Sequence, residues 1–112
     1  MLSVPDLSGS ERRALENVVV IVKRRWPLAE IMVFGSKARG TADEESDLDL
    51  LVLLPCPVTD EIRTKIIHEI FSINLTYDSN ISVLLISKEE WNSVPLSLLP
   101  FHESVEKEGI AL

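Results

Sequence analysis

The sequence predicts an α/β fold in which a small mixed β-sheet is flanked by helices, and three observations predict it. Two long segments repeat apolar residues at helical spacing behind capping signals, and three short apolar runs end at glycine, proline or polar turns. The order helix, strand, strand, helix, strand, helix needs both an antiparallel pair and a crossover.

Each element follows from its residues. Ser8-Gly9-Ser10-Glu11 has the S-x-x-E form of a capping box, and Leu15, Val18, Val19, Val22 and Trp26 recur three and four residues apart until Pro27 closes the helix. Its polar side carries Arg12, Arg13, Glu16, Lys23, Arg24 and Arg25, a solvated face whose basic end complements the helix dipole. Ile31–Phe34 is short, apolar and bounded by Gly35, which predicts a buried strand. Leu48–Leu54 is too apolar for a half-exposed strand and stops at Pro55, so it belongs in the sheet centre. A second helix is predicted from a cap at Thr59 or Asp60 to Asn74, with Ile62, Ile66, Ile67, Ile70 and Phe71 on one stripe. Ile81–Ile86 reads as the third strand. Ser87-Lys88-Glu89-Glu90 repeats the capping box and starts a short helix through Trp91, broken before Pro95, and a last helix runs from about Pro100 to Glu108 with Gly109 as its stop.

Composition bounds the function. A 112-residue chain, 46% hydrophobic and 26% charged, is expected to form one domain over residues 1–112. A formal net charge of −7 argues against bulk electrostatic binding of nucleic acid, so nucleotide phosphates must be met locally or through metal ions. Cys56 has no second thiol, the start lacks a basic and apolar leader pattern, and no apolar run reaches the roughly 20 residues that span a bilayer. A reducing cytoplasm is the expected compartment, without membrane insertion.

The chemistry concentrates between residues 34 and 50. Asp47 and Asp49 lie two apart at a strand start, so their side chains share a face with Cα atoms about 6.5–7 Å apart, and two adjacent like charges need a cation. Hard oxygen ligands suit Mg²⁺, which would hold triphosphate oxygens and lower the pKa of an attacking hydroxyl. Gly35-Ser36 follows the first strand, where glycine lets the backbone approach a ligand and the next amides can open a short helix around phosphate. Lys37 and Arg39 add two cations beside the proposed metals. Asp43, Glu44 and Glu45 read as a solvated acidic tip. His68 and His102 lack partners at metal spacing and read as surface or packing residues, and Trp26 and Trp91 as core or interface residues.

The string GSKARGTADEESDLDLLV, with Gly35-Ser36 and Asp47-Leu48-Asp49 in a G-S-x10-D-x-D pattern, resembles the minimal nucleotidyltransferase (MNT) group of the DNA polymerase β-like nucleotidyltransferase superfamily. The resemblance covers nearly the whole chain. It implies transfer of a nucleoside monophosphate from an NTP, most simply ATP, to a hydroxyl with two Mg²⁺ ions. Gly35 and Ser36 would contact the β/γ-phosphates, and Asp47 and Asp49 would bind the metals. It also implies a departure, because active relatives usually carry a third carboxylate on the third strand where this chain aligns Ser82. Asp78 lies four residues earlier, roughly 13 Å along a strand. Two readings follow: an enzyme that nucleotidylates a partner macromolecule, or an inactive nucleotide-binding, antitoxin-like module. For either, the resemblance implies a HEPN-type helical protein as partner, or self-association. Modification of a small molecule fits less well, because an acceptor pocket needs more chain. The dense set Trp91, Val94, Leu96, Leu98, Leu99 and Phe101 is the expected docking surface.

Overall fold

The computed structural model describes Val4, residues 7–40 and residues 47–112. The acidic tip at Asp43, Glu44 and Glu45 lies outside the described residues.

Helix α1 (Gly9–Arg25) starts where the capping box requires: the Ser8 hydroxyl accepts from the Glu11 amide at 3.0 Å and the Glu11 carboxylate accepts from the Ser8 amide at 3.1 Å. Strand β1 (Glu30–Phe34) leads into a one-turn helix α2 (Ser36–Arg39), and β2 (Leu48–Leu54) follows. Helix α3 (Asp60–Tyr77) is capped by the Thr59 hydroxyl and crosses to β3 (Ile81–Ser87). The short helices α4 (Lys88–Trp91) and α5 (Val94–Ser97) precede α6 (Pro100–Glu108) and the two-residue strand β4 (Ile110–Ala111).

Among the described residues the sheet order is β3-β2-β1-β4, with β2 parallel to β3 and antiparallel to β1, and β4 antiparallel to β1. The mixed sheet and its flanking helices are the predicted class. Alternation along β2 divides the core into two layers. Leu48, Leu50, Val52 and Leu54 join Leu15, Val18, Val22, Ile66 and Ile70 under α1 and α3, whereas Leu51 and Leu53 join Trp91 and Val105 on the opposite side. Every residue of β2 is buried except Asp49, which shares its face with Leu51 and Leu53. A carboxylate has been left at the open end of an otherwise apolar strand.

Several elements depart from expectation. Helix α3 continues to Tyr77 and ends on Asp78 in a left-handed conformation, φ 51°. Its buried line is Ile66, Ile70 and Ile73, with Ile62 half-buried; Ile67 and Phe71 stand one residue, about 100° of helix, away from that line and are exposed. Helix α5 and strand β4 escape the periodicity because four and two residues carry too little of it. Gly109 does stop α6, but by close approach: its amide reaches the Val105 carbonyl at 2.7 Å, and a Cβ there would lie 2.5 Å from the same oxygen.

Candidate active site

The site is built on the ends of β1 and β2. Gly35 leaves β1 with φ 76° and ψ −155°, a conformation that side chains resist, and becomes the N-cap of α2. The Arg39 amide closes the turn onto the Gly35 carbonyl at 3.2 Å, and Gly40 ends it in the left-handed region at φ 73°. Phe34 pairs with Asp49 across the antiparallel ladder, so the turn folds back over that carboxylate. A Cβ on residue 35 would lie only 2.7 Å from Asp49 Oδ2. The expected open approach to Gly35 is therefore occupied on one side by the acid itself.

Asp49 is half-buried, and its pKa is raised, first by burial and then by the charge of Asp47. Asp47 is exposed at the entrance to β2, and its Oδ1 accepts from the Asn80 side-chain amide. Two oxygen-bearing acids on one face, the inner of which is hard to ionise beside the outer, match the donor chemistry of a divalent cation. Among the described residues no group of three or more His, Cys, Asp or Glu side chains could hold a metal, so Asp47 and Asp49 stand there as a pair.

The parallel register places Ser82 directly beside Asp49, and Ser82 is the position that the resemblance assigns to a third carboxylate. Asp78 sits at the end of α3, and Glu89 and Glu90 lie in α4, beyond the opposite end of β3 from Ser82.

Lys37 requires a correction. Instead of facing the acid pair as a phosphate ligand, it is 2% exposed and its Nζ meets Glu11 Oε2 at 3.1 Å. A buried ammonium needs a counter-charge, and on this one-turn helix residue 37 turns toward the start of α1, where Glu11 supplies it. Burial pushes the Glu11 carboxyl up, but the Ser8 amide and the hydrogen bond and charge of Lys37 outweigh it and hold the group below its ordinary range. Arg39, in contrast, is exposed, and among the described residues its ion pair is with the equally exposed Glu108 at 3.5 Å. Such a surface pair is worth little and leaves the guanidinium free to exchange Glu108 for an anion. Ser36 is half-buried at the start of α2, where the first amides of a helix lack partners within it.

Two features escaped the sequence. Phe101 packs edge-on against Phe34 at 5.3 Å and against Trp91 at 6.1 Å, so α6 places an aromatic wall beside the acid pair. Asn80 reaches Asp47 only through strand pairing between residues 33 positions apart. His68 is exposed, and His102 stacks on Trp91 at 4.2 Å, as surface and packing roles require.

Comparison with known proteins agrees with this geometry. Over 61 residues the chain is 41% identical to a candidate protein adenylyltransferase of Methanocaldococcus jannaschii. That match covers 54% of this chain and 62% of the archaeal protein, so the chain spans under two thirds of that relative's length. A solved candidate minimal nucleotidyltransferase superposes with a TM-score of 0.59 at 28% identity, covering 90% of this chain and 91% of its own. A toxin–antitoxin crystal structure with AMP-PNP shares the fold, with a TM-score of 0.56 at 22% identity over 86% of this chain and 70% of that one. Residues 15–110, which hold both the Gly35 turn and the acid pair, match the nucleotidyltransferase domain, and the chain belongs to that family.

Proposed function

We propose that this protein transfers a nucleoside monophosphate, AMP in the first instance, from an NTP to a hydroxyl on a partner protein. The observation that carries this reading is the packing of the Gly35 turn onto the Asp49 carboxylate, which joins a glycine backbone turn to an acid pair within one family domain. Asp47 and Asp49 hold the divalent cations, two Mg²⁺ ions in this reading. When bound, they supply charge for the triphosphate and lower the pKa of the acceptor hydroxyl. Gly35 and Ser36 offer close backbone approach to the phosphates, and Arg39 exchanges Glu108 for a phosphate oxygen. The acceptor oxygen bonds to the α-phosphorus, the bond to the β-phosphate oxygen breaks, pyrophosphate leaves, and the hydroxyl proton passes to water.

The acceptor reading draws on the archaeal relative's description as a protein adenylyltransferase, and the partner reading on the toxin–antitoxin complexes among structures of the same fold. A HEPN-type helical protein is the proposed partner, and the lone Cys56 fits a reducing cytoplasm. One specific observation favours the second reading, a nucleotide-binding module of low turnover: Ser82 beside Asp49 supplies no carboxylate.

The test is transfer of radiolabelled AMP from ATP to the co-purified partner. Wild type labels the partner slowly, Asp47→Ala with Asp49→Ala abolishes labelling, and Ser82→Asp accelerates it within the 10²–10⁴-fold range typical of an added general base. Unchanged labelling by the double variant rejects the site. Brisk wild-type transfer that Ser82→Asp leaves unaltered rejects the low-turnover reading.

A further inference from the structure

A single side chain fixes the turn from α3 into β3. Asn74 Oδ1 accepts from the Ser79 hydroxyl at 2.8 Å and from the Ile81 amide at 2.9 Å, while its Nδ2 donates to the Ile81 carbonyl at 3.1 Å. The Ser79 amide also reaches the Asn74 carbonyl at 3.1 Å, and Asp78 makes the reversal by adopting its positive φ. On the other side of the strand, the Leu48 amide donates to the Asn80 carbonyl at 3.0 Å and opens the parallel ladder. Asn80 is therefore pinned between an α3 side chain and β2. From that anchored backbone its side-chain amide donates to Asp47 Oδ1.

We infer that Asn80 is a positioning residue for the acid pair: it holds one oxygen of Asp47 and leaves the other, Oδ2, available to a divalent cation. The inference rests on the proposed metal site at Asp47 and Asp49. Asp47 is exposed at the mouth of its strand, so without a partner its carboxylate samples several rotamers that binding must then freeze. The chemistry of the donor matters. A lysine or arginine at position 80 would cancel the charge that attracts the cation, and an aspartate would add a like charge beside Asp47. A neutral amide orients the carboxylate and leaves its charge intact, as outer-shell partners do around metal ligands generally. Asn80, just before β3, and Ser82, on it, thus have different roles: Asn80 supports Asp47, and Ser82 leaves Asp49 without a third acid.

Calorimetric titration of ATP with and without Mg²⁺ tests this, on wild type, Asn80→Ala, Asn80→Gln, Asp47→Ala and the Asp47→Ala/Asn80→Ala double variant, with a thermal melt of each. Asn80→Ala is expected to weaken the Mg²⁺-dependent part of ATP binding by roughly 10–100-fold, the usual cost of removing an outer-shell partner, while metal-free ATP binding is unchanged. Asn80→Gln keeps the donor on a longer stem and falls between Asn80→Ala and wild type, which preserves the test if Asn80→Ala folds poorly. On the Asp47→Ala background, loss of Asn80 has no further effect, because its action passes through that carboxylate. Equal affinities for wild type and Asn80→Ala overturn the inference while leaving the site standing. So do additive losses in the double variant, or parallel losses of metal-free and metal-dependent binding, which mark Asn80 as a turn residue alone. Mg²⁺-dependent binding that is absent in wild type, or untouched by Asp47→Ala, overturns the metal site and the Asn80 inference together.

Discussion

At the scale of single residues, Gly35 carries two requirements that no other side chain meets together. Its φ of 76° with ψ of −155° lies where a non-glycine residue costs about 1–3 kcal/mol, and the Cβ position falls 2.7 Å from Asp49 Oδ2. The carboxylate is the far end of a side chain and can move, so Gly35→Ala folds, but it displaces a proposed metal ligand. The expected result is a loss of about 1–3 kcal/mol in urea denaturation together with loss of Mg²⁺-dependent ATP binding. An alanine variant that keeps wild-type ATP affinity removes Gly35 and its contact with Asp49 from the site. The glycine was legible because a Gly-Ser pair at a strand end and an Asp-x-Asp at the next strand start are local patterns. Lys37 was misread for the complementary reason. Its charge is visible in the sequence, but the side of a four-residue helix it occupies is decided by Glu11, 26 positions away, which the sequence presents only as a cap. Asn80 was invisible because nothing local distinguishes a turn asparagine from one that strand pairing brings to Asp47.

At the scale of elements, the Glu11–Lys37 pair ties α2 to the first turn of α1, so the Gly35 turn is braced from behind by the helix that covers the core. Glu11 titrates below its ordinary value of 4.5 in the folded chain, so its stabilising contribution is fully present above that value and is lost as pH falls through the depressed folded-state pKa. Glu11→Gln keeps an acceptor for the Ser8 amide but leaves Lys37 buried without a counter-charge. Allowing for the partial exposure of Glu11, a loss of about 1–3 kcal/mol is expected at pH 7. Urea denaturation from pH 7 to pH 3 is the measurement: the gap between wild type and Glu11→Gln closes on acidification, because wild type loses the same charge by protonation. A gap of constant size would show that the ion pair contributes no stability. The three longer strands and the long helices were legible because their apolar patterns run over five to eighteen residues. The stripe on α3 was placed too broadly, since Ile67 and Phe71 satisfy an apolar count while lying at its exposed margin, in an open cleft beside β3.

At the scale of the whole molecule, the face beside the acid pair differs from the rest of a chain whose formal net charge is −7. The ten residues from Asn92 to Phe101 carry no charge, and within them Val94 and Leu98 are 71% and 76% exposed, with Leu99 and Phe101 also exposed. Phe101 touches Phe34, the cross-strand neighbour of Asp49, so this apolar surface runs up to the edge of the site. A protein seated there would meet an uncharged apolar surface on an otherwise acidic chain and could present a hydroxyl at the carboxylates. Trp91, which the sequence grouped with this set, is instead 2% exposed and holds α4 to the core, with its ring nitrogen donating to Glu106 at 2.9 Å. The docking prediction therefore rests on Val94, Leu98, Leu99 and Phe101. Co-expression with the protein encoded by the neighbouring gene should give a stable complex in size-exclusion chromatography with light scattering. Leu98→Asp should dissociate that complex while leaving the melting temperature of the isolated chain within a few degrees, because exposed side chains contribute little to folding. A complex that survives both Leu98→Asp and Val94→Asp would place the acceptor protein on another face, and the apolar run from 92 to 101 would then have no part in delivering the hydroxyl to Asp49.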